Sequence, residues 1–134
     1  MNMRVATSLP SINAEQVLFV LRGADLTLTT DQVFKKLFGG TNYLVTNMFA
    51  VQKTGSFGVA CLGGIYSGAT KTGDAILAAT QSWATLTGVS TAAVAALANI
   101  LQIKVSTATP FLSLTTGNTG SLTADIFIIG VVVD

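Results

Sequence analysis

The stretch SLTADIFIIGVVVD, residues 121–134, decides the fold class of this chain. In an extended strand its side chains alternate, so that Ile126 and Ile128 point to one side while Phe127 and Ile129 point to the other. Both sides are apolar, and neither is suited to water. The stretch therefore predicts a long β-strand with one face in a core and a second apolar face that must also be covered.

Extended segments account for most of the remaining chain. TPFLSLTT, residues 109–116, precedes the final stretch across the turn-forming quartet GNTG, and together they predict a β-hairpin. The other predicted strands are rich in β-branched, aromatic or small apolar residues and comprise 16–23, 41–55, 56–68 and, with a weaker pattern, 74–80 and 81–88.

TTDQVFKKLFG, residues 29–39, carries the one convincing helix signal. Thr29 and Gln32 fit a capping box, and Gly39 is suited to the left-handed conformation that ends many helices. We therefore predict a short helix near residues 30–38. Its apolar face, which we expect to close one end of the core, comprises Phe34, Leu37 and Phe38.

The segment 90–105 is ambiguous. Val94, Leu97 and Leu101 have helical spacing, whereas the neighbouring sequence favours extended chain. We predict strand and loop here.

These elements predict an all-β protein, an antiparallel β-sandwich or jelly roll, with a single domain over residues 15–134. No repeat and no linker divides the chain. Residues 1–14 mix small and polar types around Leu9 and Ile12. We expect them to form an extended arm that docks on a partner, for which another subunit is one candidate.

The composition argues against several function classes. The chain has 134 residues, half of them hydrophobic and only 10% charged, and its net charge of +1 gives no field to attract nucleic acid. Histidine is absent, which removes the commonest general base. Cys61, between Ala60 and Leu62, is interpreted as a core filler. We therefore predict that the chain is not an enzyme and holds no cofactor or metal.

Membrane association is not predicted either. The uncharged stretch between Asp74 and Lys104 is interrupted by many polar residues, whereas a membrane-spanning helix needs about 20 mainly apolar ones. The first residues, MNMRVATSLPSINAEQ, lack the apolar region of a secretory signal.

Three sets of residues were considered as sites of chemistry. GGIYSGATKTG, residues 63–73, suggests a phosphate-binding loop, but Thr70 stands where that loop needs glycine before Lys71, so a hairpin loop is predicted. The carboxylates are scattered singly, and a catalytic pair across a cleft is the one arrangement that their spacing leaves open. The remaining set, which suits either a sugar-binding platform or, as we favour, packing, comprises Trp83, Tyr43, Tyr66 and Phe57.

The second apolar face predicts self-association. Segments 16–23 and 43–51 are also apolar on both faces. Strict alternation places Val17 on the same face as Phe19, and Val45 on the same face as Phe49. A two-layer sandwich buries only one face of each sheet, so the other needs a partner. The alternative is that loops and the helix near 30–38 cover this face within one chain.

Two stretches carry a family resemblance. TPFLSLTTGNTGSLTADIFIIGVVVD, residues 109–134, resembles the ending of small structural proteins on the virions of tailed bacteriophages, and FGGTNYLVTNMFAV, residues 38–51, is similar to their central strand. The resemblance covers roughly a third of the chain. The Ala-rich stretch 92–98 and the lysines at 35 and 36 depart from the family pattern and leave the position on the particle open.

The resemblance implies a β-sandwich or jelly-roll subunit, usually trimeric, that decorates or cements a capsid or belongs to a fibre. We therefore expect a virion structural protein, made in the host bacterial cytoplasm, whose partners are its own copies and the major capsid protein or other virion proteins. The alternative is a receptor- or carbohydrate-binding knob of a phage fibre that presents loops 63–73 and 116–121. The residues expected at interfaces are Leu9, Ile12, Trp83, Phe127, Ile129 and Val131.

Overall fold

The computed structural model describes residues 14–58, 60–84, 86, 94–96, 100, 104–106 and 109–134. Within these residues the chain forms strands and no helix, so no helix there is long enough to cross a membrane. The strands are β1 (Gln16–Asp25), β2 (Gln32–Val33), β3 (Lys35–Lys36), β4 (Asn42–Gly55), β5 (Leu62–Gly68), β6 (Thr72–Leu77), β7 (Val94–Ala96), β8 (Lys104–Ser106), β9 (Phe111–Thr116) and β10 (Leu122–Val132).

The strands build two antiparallel sheets. The larger has six strands in the order β3-β1-β10-β4-β7, with β8 also paired to β4, and the smaller has the order β2-β9-β5-β6. Buried residues from both sheets form one core cluster, which includes Ile126 and Ile128 from β10 and Leu112 and Leu114 from β9. The predicted all-β, antiparallel sandwich is confirmed.

The helix predicted near residues 30–38 is wrong. This segment instead forms β2, which pairs with β9, and β3, which pairs with β1. The Gln32 side chain does not cap a helix: it exchanges two hydrogen bonds of 2.8 Å with the backbone N–H and carbonyl of Asp25. Phe34 lies at the crossing between the sheets and is 2% exposed, so it does close the core, whereas Leu37 is 47% exposed.

The hairpin predicted across residues 117–120 is also wrong, although both of its strands exist. β9 belongs to the small sheet and β10 to the large one, so the connection crosses from one sheet to the other. Asn118 holds this crossing in place. Its side-chain Oδ1 accepts from the Gly58 N–H at 2.7 Å, and its backbone N–H donates to the Leu26 carbonyl at 2.7 Å. Contacts to other loops replace the cross-strand bonds of a hairpin.

Two bulges change the side to which residues point. In β1 the register against β10 shifts between Val17 and Phe19, and in β4 it shifts next to Thr46. Val17 therefore faces away from the core while Phe19 faces into it. Strict alternation predicts that Val17 shares a face with Phe19 and that Val45 shares a face with Phe49, and both predictions are wrong.

Other predictions have mixed outcomes. The hairpin loop at 63–73 corresponds to the β5–β6 hairpin with its turn at residues 69–71, and Cys61 is fully buried, as a core filler should be. Residues 81–88 contribute only an isolated bridge at Ser82 among the residues described there. In 90–105 the described parts, β7 and β8, are strands.

Candidate association surface

The outer face of the six-stranded sheet is the surface turned away from the core on β1, β10 and β4. On β10, Phe127, Ile129 and Val131 face outward and are partly exposed, whereas Ile126 and Ile128 are fully buried between the sheets. This is the alternation that the final stretch predicts. The register then places Phe49 beside Phe127 and Val17 beside Ile129 on the same side of the sheet.

Apolar side chains form a continuous band across these three strands, here called the apolar band. The rings of Phe49 and Phe127 stack with centroids 5.2 Å apart and planes at 29°. The guanidinium of Arg22 lies 5.6 Å from the centre of the Phe127 ring, within the range of a cation–π contact. The members of the apolar band are Val17, Val20, Leu44, Phe49, Val51, Phe127, Ile129 and Val131.

A charge cluster bounds the apolar band. The Asp125 carboxylate, on a residue only 5% exposed, lies 3.3 Å from Arg22 Nη1 and 3.6 Å from Lys53 Nζ. Its Oδ1 also accepts from the Gly23 N–H at 2.8 Å. Beyond it, the hydroxyls of Thr54 and Thr123 contact each other at 2.6 Å. The carboxylate is thus compensated within one chain, and the two cations leave this cluster with a net charge of +1.

An apolar groove continues this surface at the β1 edge. β3 pairs only with Phe19 and Val20 of β1, and a depression lies beside the residues that follow, Leu21 and Arg22. Val33 and Leu37 project at its rim with 56% and 47% of their surface exposed. The residues that line this edge groove are Val20, Leu21, Arg22, Val33, Lys35 and Leu37.

The residues expected at interfaces have different positions. Phe127, Ile129 and Val131 lie together in the apolar band, whereas Leu9 and Ile12 are outside the described residues. Trp83 is fully buried, and its Nε1 donates to the Gly63 carbonyl at 3.2 Å, so it belongs to the core of the single chain. Tyr43 is buried as well, which agrees with packing and separates it from any sugar platform on the surface.

The sequence reasoning missed the members of the apolar band on the flanking strands. Phe49 and Val17 were assigned to sides that the two bulges reverse. The only available signal was a run of consecutive apolar residues, Val17 to Leu21 in β1 and Met48 to Val51 in β4. That pattern indicates a two-sided strand without fixing which residue faces out.

The described residues contain no group of three or more cysteine and acidic side chains placed to hold a metal ion. Burial raises the pKa of the Cys61 thiol to about 11, which keeps it protonated and unreactive at neutral pH.

Comparison with known protein families, with curated proteins and with solved structures finds no match to this chain.

Proposed function

We propose that this chain is a structural protein that associates with its own copies, and that it serves as a capsid decoration or cement subunit of a tailed-phage virion. The first part is supported by one observation, the apolar band on the outer face of the six-stranded sheet. The second part is supported by the resemblance of residues 109–134 and 38–51 to virion proteins.

The apolar band can form the centre of a protein interface. Along β10 it runs from Phe127 to Val131, about 17 Å, and three strands side by side are about 14 Å wide. A standard interface buries roughly 800 Å² per partner, so polar residues around the apolar band would contribute the rest of the contact. Each large apolar side chain that becomes fully buried contributes about 1.5–3 kcal/mol relative to full exposure, and a partly exposed one contributes less.

Charge favours a second copy as the occupant. Asp125 with Arg22 and Lys53 has a net charge of only +1, so the apolar band does not select a strongly charged partner. The chain's net charge of +1 produces little repulsion between copies. A closed ring of three requires two different patches on each subunit, and the exposed Val33 and Leu37 at the edge groove supply the second patch.

In the proposed role, oligomers sit over junctions between capsid subunits and stabilise the shell by burying additional surface. Many identical contacts act together, so a weak contact per copy suffices.

The predicted arm around Leu9 and Ile12 docks the oligomer to the particle. Deleting residues 1–13 should release the protein from phage particles and leave its circular dichroism spectrum unchanged, and full retention on the particles would contradict the arm's role.

Light scattering coupled to gel filtration tests the self-association. The wild-type chain should elute as an oligomer, with three times the monomer mass for a trimer. Ile129→Lys places a charge in the apolar band and should yield monomer. Leu28→Lys is the control, because Leu28 is an exposed apolar residue, 43% accessible, outside the apolar band. A monomeric wild type at micromolar concentration would refute the proposal.

A carbohydrate-binding knob is the second candidate. One observation favours it: the β5–β6 turn, within the loop at 63–73, lines a groove rich in hydroxyl groups. The groove lies on the small sheet and is separate from the apolar band, so the two proposals can be tested independently.

A further inference from the structure

A polar groove lies where the segment before β2, the β5–β6 turn and β9 meet. It has a volume of about 410 Å³, within the roughly 300–1,000 Å³ typical of small-ligand pockets. We call it the hydroxyl groove, and it is lined by Thr29, Thr30, Asp31, Thr70, Lys71 and Ser113.

The backbone around the groove is fixed by its own side chains. Thr70 and Lys71 both have positive φ, 54° and 61°, which is unusual for residues other than glycine. The Thr70 N–H donates to Asp31 Oδ2 at 2.7 Å, which ties this turn to the segment before β2. Ser113, a residue 1% exposed on β9, accepts from Lys71 Nζ at 3.0 Å. The register places Gly64 opposite Ser113, so no side chain from β5 stands beside it.

The groove keeps a donor and an acceptor apart. Asp31 and Lys71 line the same space but do not approach within the 4.0 Å of an ion pair, since the ion pairs among the described residues involve only Asp125. One Asp31 oxygen and two ammonium hydrogens of Lys71 have no partner among the described residues. The Thr29 and Thr30 hydroxyls at the rim have none there either. The lining thus offers separate acceptors and donors, and the charges of Asp31 and Lys71 sum to zero.

We propose that the hydroxyl groove binds a neutral hexose ring of a glycan. Neighbouring hydroxyls of a sugar both donate and accept, so one can donate to Asp31 while the next accepts from Lys71. An anion would meet the Asp31 carboxylate, a cation would meet the Lys71 ammonium, and an apolar ligand would leave both groups desolvated and unpaired. This inference depends on the groove alone and not on self-association.

The affinity for one ring should be weak. None of the residues that line the groove is aromatic, so the ring is held by hydrogen bonds without stacking. A dissociation constant of about 1 mM is expected for a single sugar in such an open site. A multivalent glycan on an oligomer would bind more tightly through avidity.

The test is an amide NMR titration of the full-length chain with methyl glycosides of glucose, galactose and mannose. At least one should give saturable shifts at residues 29–31, 70–72 and 113. Asp31→Asn keeps an acceptor for the Thr70 N–H, and Lys71→Gln removes the ammonium. Each should weaken binding at least about tenfold, the usual cost of losing a hydrogen bond to a charged group.

Asp74→Asn is the matched control, since it makes the same change on exposed β6, outside the groove, and should bind like the wild type. Binding of polysaccharide but of no monosaccharide, with both groove variants inactive, would support an extended glycan. Absence of shifts with every glycoside and polysaccharide would overturn the proposal. So would stronger binding of acetate or inorganic phosphate than of any sugar, or sugar binding that survives both substitutions.

Discussion

Asp125 shows how one polar residue is accommodated in an otherwise apolar sheet. Its carboxylate accepts from the Gly23 N–H, and Gly23 has a φ of +63° next to the irregular pairing of Leu21 and Ala24 with β10. Arg22 and Lys53 approach it from solvent with side chains 69% and 54% exposed. Exposed cations contribute little, so the backbone hydrogen bond is the larger part of its role.

We predict that Asp125→Ala lowers the free energy of unfolding by about 2–3 kcal/mol, because the Gly23 N–H loses its acceptor. Asp125→Asn retains an acceptor oxygen and should cost only about 1 kcal/mol. Urea denaturation measures both, with Asp74→Ala on exposed β6 as the control expected within about 0.5 kcal/mol of wild type. Equal costs for the Ala and Asn variants would show that the ion pairs dominate.

Cys61 leads to a prediction about pH. Burial raises the pKa of its thiol from 9.0 to about 11, so at pH 8 only about a thousandth of the native protein carries the thiolate. Native protein should therefore react with a disulfide reagent far more slowly than urea-unfolded protein.

The same shift affects stability in alkali. The folded state holds the thiol proton more tightly, so stability from this group is complete below pH 9 and declines as pH rises towards 11. In the Cys61→Ala variant, the unfolding free energy should fall less steeply between pH 9 and pH 11 than in the wild type. Rapid labelling of the native thiol at pH 8 would contradict the buried position of Cys61.

At the scale of elements, sequence reasoning found strands better than their partners. The final strand was identified because its apolar pattern is long and uninterrupted. The prediction of a helix near 30–38 failed because Gln32 pairs with Leu112 of β9, far away in sequence, and Phe34 packs into the core between the sheets. The hairpin failed because local turn residues cannot reveal whether Asn118 bonds across a turn or to Gly58 and Leu26.

The same limit applies to the candidate site. The sequence predicts that Phe127, Ile129 and Val131 share one face, and this is correct because β10 alternates regularly between its two faces over these residues. Alternation places their neighbours Val17 and Phe49 wrongly, because one bulged residue in β1 or β4 reverses the side on which the residues before and after it lie. Bulges depend on pairing with another strand, which one sequence does not display.

Two glycines in the β9–β10 connection test the sheet crossing. A Cβ on Gly117 would lie 2.3 Å from the Thr27 carbonyl oxygen, whereas a Cβ on Gly120 would meet nothing within 4 Å. Gly117→Ala should therefore cost about 1–3 kcal/mol of unfolding free energy, while Gly120→Ala stays within about 0.5 kcal/mol of wild type. Thermal or urea unfolding of the pair measures the difference. Equal tolerance at both positions would contradict the close approach to Thr27.

At the scale of the whole molecule, two layers leave each sheet with an outer face. The core between the sheets takes Ile126 and Ile128, and the segment at 32–36 pairs along strand edges instead of covering the apolar band. The apolar band lies on the large sheet and the hydroxyl groove on the small one, so the proposed self-association and the proposed sugar binding use separate surfaces.

If copies share the apolar band, stability must depend on protein concentration. An assembled state gains free energy by mass action, so each tenfold dilution of a dimer lowers its unfolding free energy by about 1.4 kcal/mol, and a trimer loses more. We predict that the urea midpoint of the wild type rises over about a hundredfold increase in concentration. Ile129→Lys should remove this dependence, and Leu28→Lys, outside the band, should keep it. A wild-type midpoint that is constant over the whole range would mean that the sheet tolerates its apolar outer face without a partner, because a monomer's unfolding does not respond to dilution.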